Sequence, residues 1–450
     1  MLNNIQEVIV PLGSKRKIIY LLLLVSFWLC PPFVSADDNR GDGTKSNEKP
    51  HEVRWEIDVG GQVRLRGDFS ENQNFTNFVF TPGHHEAQFL ERTRLQASVE
   101  DHALNLEAFV QGQWYGRWGS LDNRSAFDLY QGYVEWEKVL NLPVSVKAGR
   151  QEFQYGSAFF IGTNDFYNGV SWDGFKASVN PFEKLAVEIL GAKMVKLNSG
   201  DPDLYLAGLY TTYKIYKEGS LEGYLFYNKG GFPISHREFV LIDSGQKSFT
   251  LGARLAGKIG GFDYELEPEF QWGKIKNVIG DGKDLVRAFG GHLDLGYTFK
   301  LPWKPRVFGV YAYGSGDNNP FDGRYREFHG ALFNDSYIFG DMNVIADLSG
   351  VTVNDVHASG LQILIGGLEV KPLPKLGVTL RAHGFLANRV PSGFSKDIGT
   401  ELDSEISYKL TKRISFLVGL DRFFTGRFFR QASGSGKNID YAYVQAQVEF

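Results

Sequence analysis

The last ten residues of the chain, YAYVQAQVEF (residues 441–450), alternate between two kinds of side chain. Ala442, Val444, Ala446, Val448 and Phe450 are apolar, and the residues between them are polar or aromatic. Because successive side chains of a β-strand point to opposite faces, this pattern predicts a strand with one apolar and one polar, aromatic face. The strand ends on an apolar ring, which a soluble protein has little reason to expose.

A terminal strand of this kind resembles the insertion signal of outer-membrane β-barrel proteins. The alternation returns at the start of the predicted domain, where Trp55, Ile57, Val63 and Leu65 share one face. About eighteen segments of ten to sixteen residues follow this two-residue period, each long enough to cross a membrane when tilted. Short connections alternate with long ones, which is typical of periplasmic turns and extracellular loops. The sequence therefore predicts an all-β, antiparallel, up-and-down transmembrane barrel of about eighteen strands. Segments 127–153 and 184–216 alternate poorly and make this count uncertain by about two strands.

The N-terminus indicates where the barrel is delivered. Lys15, Arg16 and Lys17 precede an apolar run, and Val34-Ser35-Ala36 matches a small-x-small cleavage pattern. We predict a signal peptide over residues 1–36, a flexible periplasmic tail over 37–51, and the barrel over 52–450, in the outer membrane of a Gram-negative type of cell. The single cysteine lies in the predicted leader, and the net charge of −4 is too small to indicate a nucleic-acid partner.

Residue parity predicts which charged side chains face the pore. Basic candidates are Arg64, Arg66, Arg92, Arg94, Arg117, Lys147, Arg150, Arg381 and His383, and acidic ones are Asp263, Glu265, Glu267, Glu269, Glu401, Asp403 and Glu405. The predicted eleventh strand lies half-way round the ring from the first two, so arginines would face carboxylates across the pore. Such clusters select ions, although paired charges can also simply satisfy one another.

The longest connection, Ser315 to Val356, mixes Gly, Asn, Asp and aromatic residues. It would either fold into the pore as a gate or plug, or remain an ordinary surface loop. His84-His85 and the aspartates of this loop lack metal-ligand spacing, so we predict no metal site and no cofactor. The sequence has no nucleophile elbow, phosphate loop or Ser-His-acid arrangement, and we predict that the protein is not an enzyme.

Three further stretches carry a family resemblance. They are LYQGYVEW (129–136), KAGRQEFQYGS (147–157) followed by Asn164-Asp165, and Trp172-Asp173-Gly174. Together with GTELD (399–403) and the stretch from Phe423 to Phe429, they resemble the alginate export family. The resemblance implies an eighteen-stranded outer-membrane barrel and passive export of an anionic uronate polysaccharide through an arginine-lined constriction. On matching positions it implies Arg150 as the main constriction residue, with Arg92 and Arg94 on a neighbouring wall.

We therefore expect a passive channel for an anionic polysaccharide or oligosaccharide. The alternative is a general or solute-specific uptake porin. An outer-membrane enzyme and a loop-based adhesin or receptor are more distant alternatives. The expected partners are the transported polysaccharide or small solute, outer-membrane lipid, and periplasmic export machinery, with no nucleic acid.

Overall fold

The computed structural model describes residues 55–75, 79–119, 123–163, 165, 168–196, 203–233, 241–276, 282–329 and 337–450. The predicted signal peptide and periplasmic tail lie outside the described residues. No helix within the described part is long and apolar enough to cross a membrane.

Eighteen long antiparallel strands form one closed barrel, as the alternation predicted. The strands are β1 (Trp55–Gln73), β2 (Phe80–Asp101), β3 (Leu106–Trp118), β4 (Arg124–Trp136), β5 (Val144–Gln151), β6 (Trp172–Phe182), β7 (Leu185–Met194), β8 (Tyr205–Tyr216), β9 (Gly219–Pro233), β10 (Leu241–Ile259), β11 (Phe262–Lys276), β12 (Lys283–Thr298), β13 (Arg306–Gly314), β16 (Val356–Leu373), β17 (Leu376–Arg389), β18 (Asp397–Lys409), β19 (Ile414–Thr425) and β20 (Ile439–Glu449).

Five short elements accompany the barrel in the described part of the chain. Strands β14 (Arg324–Tyr325) and β15 (Gly350–Val353) lie in the long connection between β13 and β16, with a 3-10 turn at Tyr337–Phe339. Another 3-10 turn spans Val139–Asn141, and helix α1 spans Arg427–Ser433. The helix ends at Gly434, whose φ of 70° is the left-handed conformation that glycine adopts without strain.

Each strand of the barrel pairs with its neighbour in the chain, and β20 returns to pair with β1. The backbone groups of Phe450 and Gly61 exchange two hydrogen bonds of 2.9 and 3.0 Å and so extend the closing seam. A closed barrel leaves no unpaired strand edge, which is the condition for placing β-structure in lipid.

The two faces of the barrel differ in polarity, as β11 illustrates. Leu266 and Phe270 are about half exposed on the outer face (44% and 47%), whereas Glu267 and Glu269 are buried on the inner face. The outer face is apolar and the inner face is charged. Exposed apolar side chains of the barrel therefore face lipid, and buried charged side chains face the lumen.

Two connections fold into the barrel, and the first of them explains why the region of β7 and β8 alternates poorly. Phe153, Phe159, Phe160 and Ile161 of the β5–β6 loop (152–171) are buried. Leu190, Met194 and Leu206 of β7 and β8 belong to the same buried cluster as Phe160 and Ile161. These inward positions are therefore apolar because a loop covers them. In β4 the cause is a bulge, since the pairing moves from Gln131 to Leu129 and skips Tyr130.

The long β13–β16 connection supplies the second inward segment. Ile338, Phe339, Met342, Ile345 and Leu348 are all buried. They pack in one cluster with inward residues of the barrel wall, namely Phe308, Val310, Ile363, Ile365 and Phe385. The Ser315 to Val356 loop was expected either to fold into the pore or to remain on the surface. Its described part folds into the pore.

Candidate functional site

The inner wall formed by β1 and β2 carries a cluster of arginines. Arg64 lies directly opposite Arg92 in the β1–β2 ladder, and Arg94 is two residues further along β2 on the same face. All three side chains are buried inside the barrel. Like charges placed opposite one another on a sheet destabilise it unless an anion balances them. The position of these arginines therefore indicates an anion-binding wall.

The β5–β6 loop supplies that anion. Arg92 donates hydrogen bonds of 2.5 and 3.2 Å to the two carboxylate oxygens of Asp165, and Arg94 donates one of 3.1 Å. Arg64 donates a 2.6 Å hydrogen bond to the backbone oxygen of Asp165 and approaches its carboxylate at 3.4 Å. Three guanidinium groups from two neighbouring strands thus converge on one carboxylate group.

Neighbouring glutamines hold the arginine side chains in place, while the Asp165 carboxylate remains accessible. Gln62 accepts a 2.5 Å hydrogen bond from Arg92, and Gln113 accepts one of 2.7 Å from Arg94. The side chain of Asp165 remains 47% exposed. Partial burial acts to raise the pKa of the Asp165 carboxyl, but Arg92 and Arg64 outweigh it and lower the pKa below the ordinary value of 3.8. Asp165 is therefore ionised at neutral pH.

A second carboxylate and an aromatic ring lie close to the arginine cluster. Glu152 is the second carboxylate near it, 4.0 Å from Arg94, and it accepts a short hydrogen bond from Tyr130. The ring of Tyr130 lies 3.9 Å from the guanidinium carbon of Arg94, a cation–π arrangement. Two carboxylates of the inward loop, those of Asp165 and Glu152, therefore lie beside the three guanidinium groups.

Arg150 does not belong to this cluster. It pairs with Gly132 of β4 and Asp173 of β6, and the next pair along, Gln151 and Trp172, is buried inside the barrel. Alternation therefore places Arg150 on the outer face, where it binds Asp173 through hydrogen bonds of 2.7 and 3.0 Å. The expectation that Arg150 lines the constriction is corrected for a simple reason: Arg150 and Lys147 are three residues apart and cannot share a face of one strand.

Four of the remaining basic candidates have an acidic partner inside the barrel, namely Arg66, Lys147, Arg381 and His383. Arg66 binds Asp68 at 2.7 Å and lies beside Tyr441. Arg381 donates hydrogen bonds of 3.0 and 3.1 Å to the carboxylate of Asp341, which comes from the long connection. The second inward segment thus repeats the arrangement of the first, with a loop aspartate seated on a wall arginine.

The acidic candidates lie on two other parts of the wall. Arg254 reaches Glu265 at 2.9 Å, and His292 lies 3.5 Å from both Glu265 and Glu267. These two carboxylates and the imidazole come close enough to hold a metal ion. Arg254 already faces both carboxylates, at 3.8 Å from Glu267, so we interpret the group as an ion-pair network.

Glu401 and Asp403 lie beneath the long connection, and neither lines open lumen. A carboxylate oxygen of Glu401 accepts a 3.0 Å hydrogen bond from the backbone of Met342. Asp403 lies 3.1 Å from His383, and both side chains are almost fully buried. These two acids contribute to holding the inward segment against the wall.

Asp165 and Asp341 are the important residues that parity reasoning missed. Both lie in loops, where a two-residue period gives no information about direction. Asn164-Asp165 stands within the family-like stretch of the sequence, and that was the available signal for one of them.

A closed eighteen-stranded barrel with an apolar exterior and a charged interior defines an outer-membrane channel. The family model for alginate export matches residues 55–442. The chain therefore belongs to the alginate export family, and its family and fold are those of channels rather than of enzymes.

Solved structures of three Pseudomonas aeruginosa proteins share this fold. OpdL is 13% identical with a TM-score of 0.58, and the match covers 88% of this chain and 98% of OpdL. OccK2 (OpdF) in complex with glucuronate is 13% identical with a TM-score of 0.57, and OpdK with vanillate is 10% identical with a TM-score of 0.56. Both of these matches cover 87% of this chain and 98% of the other chain. No curated protein sequence matches this chain significantly.

Proposed function

We propose that this channel passes an anionic polysaccharide or oligosaccharide whose sugar units carry carboxylates. The observation that carries the proposal is the binding of the Asp165 carboxylate by Arg64, Arg92 and Arg94. A uronate unit presents the same planar, two-oxygen group to the lumen. Guanidinium groups suit this group because their paired N–H donors match its geometry.

In this proposal Asp165 acts as a tethered stand-in for the transported group. An arriving carboxylate exchanges with Asp165 on the arginines, so the arginines never lose all their anionic partners. Exchange makes net binding weak, because each new hydrogen bond replaces one that already exists. Weak binding at successive sites is what allows passive movement through a selective pore.

Other arginines could extend the path beyond the Asp165 cluster. Arg381 is held by Asp341, and Arg306 is held by Asp263 at 2.6 Å and Glu369 at 2.9 Å. Each is again an arginine with a local carboxylate that a passing uronate can replace. Export would also need periplasmic machinery that delivers the polymer to the end of the barrel with the short turns.

A second candidate is uptake of a small carboxylate solute. It is favoured by the ligands in two structures of the same fold, glucuronate with OccK2 and vanillate with OpdK, since both ligands carry a carboxylate. The arginine cluster would serve a single carboxylate as well as a repeating one. The two candidates therefore differ in the length of the molecule that passes, and share the same site.

Block of ionic current in planar bilayers tests the proposal and separates the two candidates. We expect an oligouronate of about six units to interrupt the wild-type current, and a neutral oligosaccharide of equal length to leave it unchanged. The triple variant Arg64→Gln/Arg92→Gln/Arg94→Gln should lose the interruptions, while Arg150→Gln keeps them. Interruptions by monomeric glucuronate alone would favour the uptake channel. Equal block by the neutral sugar would overturn both candidates.

A further inference from the structure

The outer face of the barrel carries a row of lysines on three adjacent strands. Lys229 of β9 lies directly opposite Lys247 of β10, and Lys247 lies directly opposite Lys274 of β11. All three are exposed and alternate with the buried inward residues of their strands. Adjacent strands are about 4.8 Å apart, so the three lysines span about 10 Å.

Opposed like charges cost stability on a sheet unless an anion balances them. Within the described ranges, none of these three lysines forms an ion pair. Asp203 lies beside the row, but it forms ion pairs with Lys193 at 3.0 Å and with Lys196 at 2.9 Å. The row contrasts with the arginine cluster inside the barrel, where a loop aspartate balances the charge. The lysine row therefore presents three adjacent positive charges to an anion that approaches from outside the barrel.

The residues next to the row define its depth in the membrane. Immediately beside the lysines, Tyr227, Phe249 and Trp272 form a second row in the same register, with ring centroids 5.0 and 5.4 Å apart. Beyond the rings come Leu225, Leu251 and Phe270, all exposed on the outer face. The order aliphatic, aromatic, basic on all three strands marks the passage from acyl chains through the interface to the headgroups.

The row also lies at the end of the barrel that carries the long loops. These lysines are near the ends of β9, β10 and β11 opposite to the tight turns at 217–218 and 260–261. Gly260 in the second turn has a φ of 64°, as a two-residue hairpin requires. Because long loops are extracellular, the row faces the outer leaflet.

We propose that this row binds the phosphate groups of a phosphorylated glycolipid in the outer leaflet. Lysine ammonium groups are compact charges that bind phosphate, and they stand at headgroup height. The acyl chains of the lipid would lie along the aromatic and aliphatic rows beneath. On the flanks, Lys193 and Lys229 lie 5.5 and 5.3 Å from the ring of Tyr205, and Arg287 lies opposite Trp272. Both flanks extend the basic surface.

The test is binding of bisphosphorylated lipid A to the full barrel in detergent, measured by native mass spectrometry. Wild-type protein should bind this lipid much more tightly than lipid A from which both phosphates have been removed. The variant Lys229→Gln/Lys247→Gln/Lys274→Gln should bind bisphosphorylated lipid A about a hundredfold more weakly at low salt. This estimate assumes that each lysine contributes about fivefold to the affinity. A matched control is Lys300→Gln/Lys304→Gln/Lys412→Gln, which removes three exposed lysines from the turns at the opposite end.

Folding is checked by heat-modified gel mobility, which all variants should share with wild type. Unchanged affinity of the row variant, or equal binding of the dephosphorylated lipid by wild type, would overturn the proposal. So would full competition by a soluble acidic polysaccharide, because the partner would then be a polymer. Should the row variant fail to fold, the comparison of the two lipids on wild-type protein still decides the outcome.

Discussion

Asp165 is the residue on which the account of the pore depends. A single loop carboxylate neutralises part of a wall that would otherwise place Arg64 and Arg92 opposite one another without an anion. The same contact makes Asp165 a competitor of any carboxylate that enters the lumen. Its removal should therefore change selectivity more than it changes the barrel.

We predict that Asp165→Asn raises the preference for anions. The substitution removes one negative charge from beside three guanidinium groups and keeps a side chain of the same size. One unit charge at about 4 Å is worth about 1 to 4 kcal/mol between bulk water and a protein surface, so the anion-to-cation permeability ratio should rise by at least about fivefold. Reversal potentials in a KCl gradient measure it. An unchanged or lower ratio would contradict the assignment of Asp165.

The lowered pKa of Asp165 makes a prediction about pH. A carboxyl with a depressed pKa stabilises its contact above the unfolded value of 3.8, and that stability is lost as pH falls through the folded value. The difference in selectivity between the wild type and Asp165→Asn should therefore stay constant from pH 8 to pH 5 and shrink only below about pH 4. A difference that persists at lower pH would assign the acid transition to another group.

Arg92 and Arg150 offer a comparison of one residue type on opposite faces. Arg92→Gln removes a lumen charge and should lower the anion-to-cation permeability ratio about fivefold. Arg150→Gln acts on the outer face, where Arg150 binds Asp173, and should leave the ratio unchanged. The same bilayer recordings measure both. A larger effect from Arg150 would place it in the pore and refute the alternation argument for β5.

At this scale the sequence was a good guide within strands and a poor one outside them. Parity predicts one face for Arg92 and Arg94, and these side chains lie buried inside the barrel beside Arg64. Residues three apart lie on opposite faces of a strand, so Arg150 cannot face the pore together with Lys147. Asp165 and Asp341 act through loop conformation, which depends on contacts with distant strands and leaves no local pattern.

At the level of elements, two inward loops occupy part of the barrel interior. The β5–β6 loop packs on β6 to β9, and the segment around Tyr337–Phe339 packs on β13 and β16 to β20. Phe159 of the first loop stacks on Phe328 of the long connection, with ring centroids 6.5 Å apart. The loops therefore contact one another as well as the wall. Their sequences predicted loops, but only the apolar inward positions of β7, β8, β13 and β16 reveal where they lie.

Phe339→Ala tests whether the long connection is held by its apolar contacts. Phe339 is almost fully buried, and its truncation should weaken docking of this segment by about 3 to 5 kcal/mol. The strand ladder is untouched, so urea unfolding of the barrel should barely change while the segment becomes sensitive to protease. Phe321→Ala, at an exposed position of the same connection, is the matched control. Equal protease resistance of wild type and Phe339→Ala would show that the ion pair of Asp341 suffices.

At the scale of the whole molecule, the inner and outer faces of the barrel carry different kinds of side chain. The inner face carries charges that are largely paired within the chain, and the outer face carries aliphatic, aromatic and basic rows. Closure between β20 and β1 makes this separation possible, because it removes every strand edge. The strand number, the closure and the two faces all followed from alternation and loop lengths. The direction of transport and the transported molecule do not follow from them, since a fold alone does not define a substrate.

The most direct test of the central claim is the reversal potential of the wild-type channel in a KCl gradient, repeated with Arg64→Gln/Arg92→Gln/Arg94→Gln. The account predicts anion preference in the wild type and its loss in the triple variant, because these arginines carry the positive charge of the Asp165 cluster. A wild-type channel that prefers cations, or a triple variant with unchanged anion preference, would contradict it.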